Sequence, residues 1–324
     1  MTFTTSTAKV MLCIAAVTGA ACVYAQKYPV KPIRIIVPLA PGGGTDTLTR
    51  VMNPRLVALL GQQVLVENRP GAATQIGTEF VAKAAPDGYV LLNTDTSLHT
   101  NPSLYAKLPY DTLRDFAPVS LLASAPVVLA IHPSVPVTTL KQLIALARAR
   151  PGELTFAIGG YGTGTHLVAE IFKTAAKINF TIVPYKGGGA AVADTIAGQV
   201  VMMFGGPATI KPHVLNGRLR PIAVTGEKRN PAFPNLPTFD ESGVPGVDSG
   251  SYWGSLAPAA TPPDVIATLN GAMKASVQAP DVRARLIDLG YEPLGSTPEE
   301  YGALIRNEIA RWAKVVKAAN IKLE

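Results

Sequence analysis

Cysteine is nearly missing from this chain: Cys13 and Cys22 are the only two, and both lie in the first 25 residues. Loss of that segment would leave no thiol, which excludes disulfide staples and a cysteine nucleophile and leaves packing to hold the fold. Histidine is scarce as well. His99, His132, His166 and His213 stand apart in the sequence, and no pair has metal-ligand spacing. There is no Gly-x-Ser-x-Gly nucleophile elbow, no Gly-Lys pair of a phosphate-binding loop, and no Gly-x-Gly-x-x-Gly after the first expected strand. No cofactor and no metal are therefore expected. A hydrolase or isomerase built on Asp194 and His166 lacks a nucleophile, a metal set or a cofactor motif to support it.

Long apolar runs are also few. One runs from Val10 to Val23, after Lys9, the only charge in the first 25 residues, and Val23-Tyr24-Ala25 supplies small residues for a peptidase. At about 14 residues against the roughly 20 that cross a bilayer, this run reads as a secretory signal peptide, residues 1–25, cleaved near Ala25, with the mature chain in the periplasm. Lipoprotein processing at Cys22 is the weaker alternative, because Gly19 stands where a lipobox has a Leu-like residue. Removing Lys9 lowers the formal net charge of +7 by one. The remaining basic residues are dispersed, which together with export argues against nucleic acid as a partner.

From residue 26 onward, short apolar runs alternate with longer amphipathic ones, the pattern of strands feeding helices. Strands are expected at residues 33–38, 64–67, 89–93, 127–131, 154–158, 178–183, 200–204 and 221–224. Leu48, Val51, Met52, Leu56, Leu59 and Leu60 predict a first helix that Gly61 ends, despite Pro54 within it. The C-terminal part reads as three helices, residues 263–278, 280–289 and 298–320, each opened by a proline. The fold class is α/β, and a chain of this length favours two open α/β lobes over one sheet.

Three glycine-rich segments sit where strands end and helices begin: Pro41-Gly42-Gly43-Gly44-Thr45-Asp46, Gly159-Gly160-Tyr161-Gly162-Thr163-Gly164-Thr165-His166, and Tyr185-Lys186-Gly187-Gly188-Gly189. Glycine allows close backbone approach, and free N–H groups at a helix start favour an anion such as a carboxylate. In open α/β sheets that is also where ligands lie. Asp46 stands where a first-turn acid serves the helix dipole, a structural role preferred to ligand contact. His166 either reaches a ligand or braces its loop. Asp194, one turn into the helix after Gly189, either accepts from a ligand or balances a dipole. Lys186 either pairs with an anion or points to water.

The opening Tyr28-Pro29-Val30-Lys31-Pro32-Ile33-Arg34-Ile35-Ile36-Val37-Pro38, followed by the first glycine turn, resembles the Bug family, the receptors of tripartite tricarboxylate transporters. Asn101-Pro102-Ser103-Leu104-Tyr105, Gly162-Thr163-Gly164-Thr165-His166-Leu167, Val183-Pro184-Tyr185-Lys186-Gly187, Ala197-Gly198-Gln199-Val200, Pro212-His213, Gly217-Arg218-Leu219-Arg220, Ala257-Pro258 and Thr261-Pro262 follow the family's landmarks in order. The resemblance implies a type II periplasmic-binding-protein fold: residues 26–126 plus 250–324 as lobe 1, residues 127–249 as lobe 2, crossing strands between them and the ligand cleft between the lobes. It further implies capture of a small carboxylate, held mainly by backbone groups and ordered waters. Delivery to an inner-membrane tripartite permease would follow, or alternatively to a two-component sensor kinase, with the receptor a monomer.

Carried over by position, the implied site is Pro41, Gly42, Gly43, Gly44, Thr45, Asp46, Thr94, Asp95, Thr96, Ser97, Gly159, Gly160, Tyr161, Gly162, Thr163, His166, Tyr185, Lys186, Gly187, Gly189 and Asp194. One departure stands out. Many relatives carry an acid directly after the strand ending Met-Phe, whereas here Phe204 is followed by Gly205-Gly206. Gly205 thus suggests a roomier or less negative end of the cleft, one that admits a dicarboxylate or an aromatic acid, within a ligand class of dicarboxylates, tricarboxylates and aromatic acids.

Overall fold

The computed structural model describes residues 28–161, 163–185, 187–247 and 250–318. The expected signal peptide, Gly162 and Lys186 lie outside the described residues. Two sheets organise the chain. The first has the order β11-β4-β10-β3-β1-β2, built from β1 (Ile33–Val37), β2 (Val64–Asn68), β3 (Val90–Thr94), β4 (Phe116–Pro126), β10 (Gly250–Pro258) and β11 (Glu292–Pro293). The second has the order β7-β6-β8-β5-β9, from β5 (Val128–Ile131), β6 (Thr155–Ile158), β7 (Thr181–Pro184), β8 (Met202–Gly205) and β9 (Arg220–Val224).

Both sheets are mixed rather than purely parallel. β1 pairs parallel with β2 and β3, and β6 pairs parallel with β7 and β8, as strand–helix–strand units require. β10 runs antiparallel to β3 and β4, and β5 antiparallel to β8 and β9. In each sheet the strand that runs against the parallel core is the one that arrives from the other sheet: β5 follows β4 of the first sheet after one residue, and β10 follows β9 of the second.

Helices cover these strands: α1 (Gly44–Leu60), α2 (Gln75–Ala82), α3 (Ser97–Leu104), α8 (Pro263–Gln278), α9 (Pro280–Asp288) and α10 (Pro298–Ala318) around the first sheet, and α4 (Leu140–Ala149), α5 (Gly164–Ala176), α6 (Gly188–Ile196) and α7 (Pro207–Leu215) around the second. In β1, Ile33 and Ile35 point to one face and join Leu48, Met52 and Leu56 of α1 and Leu269 of α8. Ile36 points to the other, against Val81, Leu98 and Tyr301. That period-two split is what a strand covered on both faces demands. α1 runs through Pro54 because its buried stripe outweighs one lost backbone bond, and it ends at Gly61 in the left-handed conformation, φ 65°. A smaller cluster joins the two bodies: Leu104 of α3, Leu167 of α5, and Trp312 and Val316 of α10 are buried together.

Candidate functional site: a cleft between the strand–helix turns of two sheets

The first turn leaves β1 and enters α1. Gly42 has φ 80°, a value that favours glycine, and its N–H donates to Asp46 Oδ2 at 2.9 Å. Arg50 Nε donates to both oxygens of the same carboxylate, at 2.9 and 3.0 Å. Burial pushes the Asp46 carboxyl up, but the bonds from Arg50, Gly42 and Asn68 more than offset it and hold the group below the ordinary carboxylate range. Asp46 thus braces its own turn. A Cβ built on Gly44 would lie 3.1 Å from Trp253 Cζ2 and 3.4 Å from the Tyr291 hydroxyl, so a side chain here would press on both rings where α1 starts beside β10.

The second turn, Thr94, Asp95, Thr96 and Ser97, joins β3 to α3. Asp95 Oδ1 accepts from the Ser97 N–H at 3.0 Å and from its hydroxyl at 2.5 Å, and Thr96 Oγ1 accepts the Tyr252 N–H at 3.0 Å. Ser97 Oγ lies 3.1 Å from Thr74 Oγ1, which accepts from Asn101 Nδ2 at 3.3 Å. Asn101 also donates to the Ala73 carbonyl and the Tyr110 hydroxyl. These bonds hold an unusual backbone: Ala72, Ala73 and Thr74 have φ of 43°, 49° and 75° in succession. Each L-residue in that region costs roughly 1–2 kcal/mol, so the surrounding bonds must over-determine the turn. The hydroxyls of Thr45 and Thr94 are buried without a protein partner.

The second sheet supplies three more turns. After β6, Thr163 caps α5, its Oγ1 accepting the His166 N–H at 3.4 Å and donating to the Gly160 carbonyl at 2.8 Å. Tyr161 is half exposed and meets the His166 ring edge-on at 5.3 Å. His166 is itself buried, and burial followed by the nearby Lys173 brings its pKa down to about 4, so the ring is neutral. After β7, the Gly187 N–H donates to the Gly159 carbonyl at 2.9 Å, and a Cβ on Gly159 would come within 3.2 Å of the Gly188 nitrogen. Glycine at 159 is what allows the two turns to touch. Asp194 lies beside Tyr185, whose hydroxyl pKa is raised first by burial and then by that carboxylate. After β8, Gly205 is still within the strand, and a Cβ there would press on Ile210 Cδ1 at 2.7 Å; Gly206, by contrast, has open space.

The turns of the two sheets face each other. A Cβ on Gly164, the first residue of α5, would lie 3.7 Å from Thr96 Cβ on the opposite sheet. Gly44, Trp253 and Tyr291 of one body and Gly206 and Thr209 of the other line one small cavity. Trp253, Tyr291 and Thr209 escaped the sequence reading, which named Gly206 only as the neighbour of Gly205. Trp253 lies in β10, a strand whose Gly-Ser-Tyr-Trp-Gly-Ser opening has weak strand character, and no motif marks Tyr291. No group of three or more His, Cys, Asp or Glu residues among those described is arranged to hold a metal, and no described helix is long and apolar enough to cross a membrane.

Two mixed α/β sheets joined by crossing strands, with glycine turns meeting between them, are the architecture of a periplasmic-binding-protein fold, and solved structures of that class match the chain along nearly its whole length. The pattern of the tripartite tricarboxylate transporter family receptors, TctC, matches residues 48–321, and the chain belongs to that family. Protein BugT of Bordetella pertussis is 38% identical over 328 residues, covering 100% of both chains. Among solved structures, Rpa4515 of R. palustris, determined with adipate, is 36% identical with a TM-score of 0.88, covering 91% of this chain and 100% of its own. MatC of Rhodopseudomonas palustris, with bound malate, is 32% identical with a TM-score of 0.83, covering 89% and 100%. Receptors of this family are periplasmic solute-binding proteins.

Proposed function

We propose that this protein is exported by cleavage of residues 1–25 and captures a small carboxylate by closing lobe 1, residues 26–126 with 250–324, onto lobe 2, residues 127–249. It then delivers the ligand unchanged to a tripartite permease of the inner membrane. One observation carries the reading: the α1 and α3 turns of the first sheet lie opposite the α5 and α7 turns of the second, with Thr96 against Gly164 and Gly44 across from Gly206. Free N–H groups at helix starts suit a carboxylate, and the buried hydroxyls of Thr45 and Thr94 suit a ligand oxygen or a bridging water. Adipate and malate, bound by the two relatives, support dicarboxylates of four to six carbons as the first ligands to try.

The test is a thermal-shift screen of the refolded, ligand-stripped mature protein against mono-, di- and tricarboxylates, aromatic acids and amino acids. A ligand at a hundred times its Kd stabilises the native state by about 2.7 kcal/mol, enough to raise Tm by several degrees. A shift confined to carboxylates, with the ligand recovered intact, is the expected result. A response to sugars or cations alone would refute the reading.

A further inference from the structure

We propose that Lys211 and Asn230, both carried by the body around the second sheet, are positioning residues that hold the cleft closed by clasping the C-terminal end of α9 in the first body, so that loosening the clasp speeds ligand release; this rests on the closure reading above. The clasp begins with how α9 ends. The Leu289 N–H donates to the Arg285 carbonyl at 3.1 Å, Gly290 to Ile287 at 2.8 Å and Tyr291 to Leu286 at 2.9 Å. Gly290, at φ 86°, permits this reversal of the chain. Such an ending leaves the Asp288 carbonyl to be met from outside the helix, and Lys211 of α7 meets it. Its Nζ donates to the Asp288 carbonyl and to Oδ1, each at 2.9 Å, while Arg285 donates to Oδ2 at 3.2 Å. A cation at this end of a helix is also favoured by the helix dipole.

The second grip lies two residues further on. Asn230 Nδ2 donates to the Gly290 carbonyl at 3.0 Å in a buried setting, and its Oδ1 accepts the Ala232 N–H at 2.9 Å, which fixes the orientation of the amide. The same turn buries Phe233 with Val128 and Ile210 against the second sheet, so Asn230 is anchored to its own body. Between the two grips Gly290 packs on Pro207, the first residue of α7. A Cβ at 290 would overlap that proline, so the close approach needs glycine for space as well as for φ.

The clasp borders the cleft. Gly290 and Tyr291 line, with Gly44 and Gly206, the small cavity where the glycine turns of the two sheets meet. Gly206 directly precedes Pro207, so parting Gly206 from Gly44 pulls α7 off the end of α9 and breaks both grips. The end of α9 also reaches the first glycine turn, through the Tyr291 hydroxyl on the Gly44 carbonyl at 2.9 Å. One chain reversal thus holds a ligand-side turn of its own body and is held in turn by the other body. The contact suits repeated making and breaking, because Lys211 and Asp288 are both partly exposed and water takes over from each when they separate.

The experiment is stopped-flow release of malate or adipate from the mature protein, with small-angle X-ray scattering of the same samples. Lys211→Met, which keeps the aliphatic stem, should release the acid ~3-fold faster or more, and the Lys211→Met/Asn230→Ala double variant ~10-fold faster or more, with association changed less. Lys211→Arg, which keeps the donors, should restore the wild-type rate, and the double variant should have the larger radius of gyration at equal ligand. A contact that only stabilised the fold would lower the Tm of the variants and leave release and radius unchanged, and that result overturns the clasp while leaving the receptor reading intact. Lys211→Met decides the matter by itself if Asn230→Ala does not fold. Failure of both acids to bind the wild type counts against the receptor reading, and scattering of the ligand-free proteins then decides the clasp: a larger radius in Lys211→Met supports it, and an equal radius overturns it.

Discussion

The Tyr291 hydroxyl donates to the Gly44 carbonyl at 2.9 Å, tying the segment after α9 to the first residue of α1 across 247 positions of sequence. The Tyr291 ring is buried and meets Trp253 edge-on at 5.0 Å, so its position does not depend on the hydroxyl. Tyr291→Phe therefore removes one hydrogen bond and little packing. The expected cost is about 1 kcal/mol of stability in urea unfolding. Ligand affinity should fall several-fold, since the α1 turn loses its brace. Unchanged affinity in a variant that is destabilised would show that the first glycine turn does not meet the ligand.

His99 provides a pH prediction. Its ring is fully buried, 6.3 Å from the Tyr252 ring and 6.4 Å from that of Tyr301, neither nitrogen has a hydrogen-bond partner, and burial pushes its pKa down to about 4. The unfolded chain binds the proton first as pH falls. The resulting loss of stability is nil above the unfolded value of 6.5, grows between 6.5 and about 4, and is constant below. By pH 4.5 it amounts to roughly 2–3 kcal/mol. His166, also held at about 4, acts in the same window, and Asp95, whose pKa burial raises, acts against both. Comparing wild type with His99→Phe isolates the one ring. Urea unfolding at pH 7.5 and 4.5 should show the wild type losing more stability by that amount, and equal losses would mean that the folded ring finds a proton acceptor or water.

What the sequence disclosed follows from how local each signal is. The eight apolar runs became strands because β-branched and aromatic residues cluster in them, and Pro263, Pro280 and Pro298 open their helices because each helix start is written in a single residue. β4 and β10 were not read as strands: Phe-Ala-Pro-Val-Ser and Gly-Ser-Tyr-Trp-Gly lack both alternation and propensity, and only pairing with each other and with β3 makes them strands. The glycine turns were visible as composition. That Gly164 meets Thr96, or that Gly205 serves Ile210 while Gly206 faces open space, depends on which turns the crossing strands bring together, and no local pattern records that.

Gly254 tests the register of β10 directly. It pairs with Thr94 of β3 on one side and Leu121 of β4 on the other, beside a register shift at Trp253 and Gly254. A Cβ there would overlap the ring of Tyr301, a fully buried side chain of α10. Glycine is required for space at this position, since the hydroxyl end of the Tyr301 ring occupies the place where a side chain would stand. Gly254→Ala must therefore displace the ring or bend the strand, at about 1–3 kcal/mol, the usual cost of overpacking. Tyr301→Leu alone leaves a cavity and also destabilises. Combined, the two changes relieve each other, because the smaller side chain yields the volume that the new methyl takes, and the double variant should be more stable than the sum of the singles predicts. The readout is the coupling energy from four urea titrations. Strict additivity would place the Tyr301 ring away from Gly254 and undo the register that sets Thr94, and with it the Asp95 turn, at the edge of the cleft.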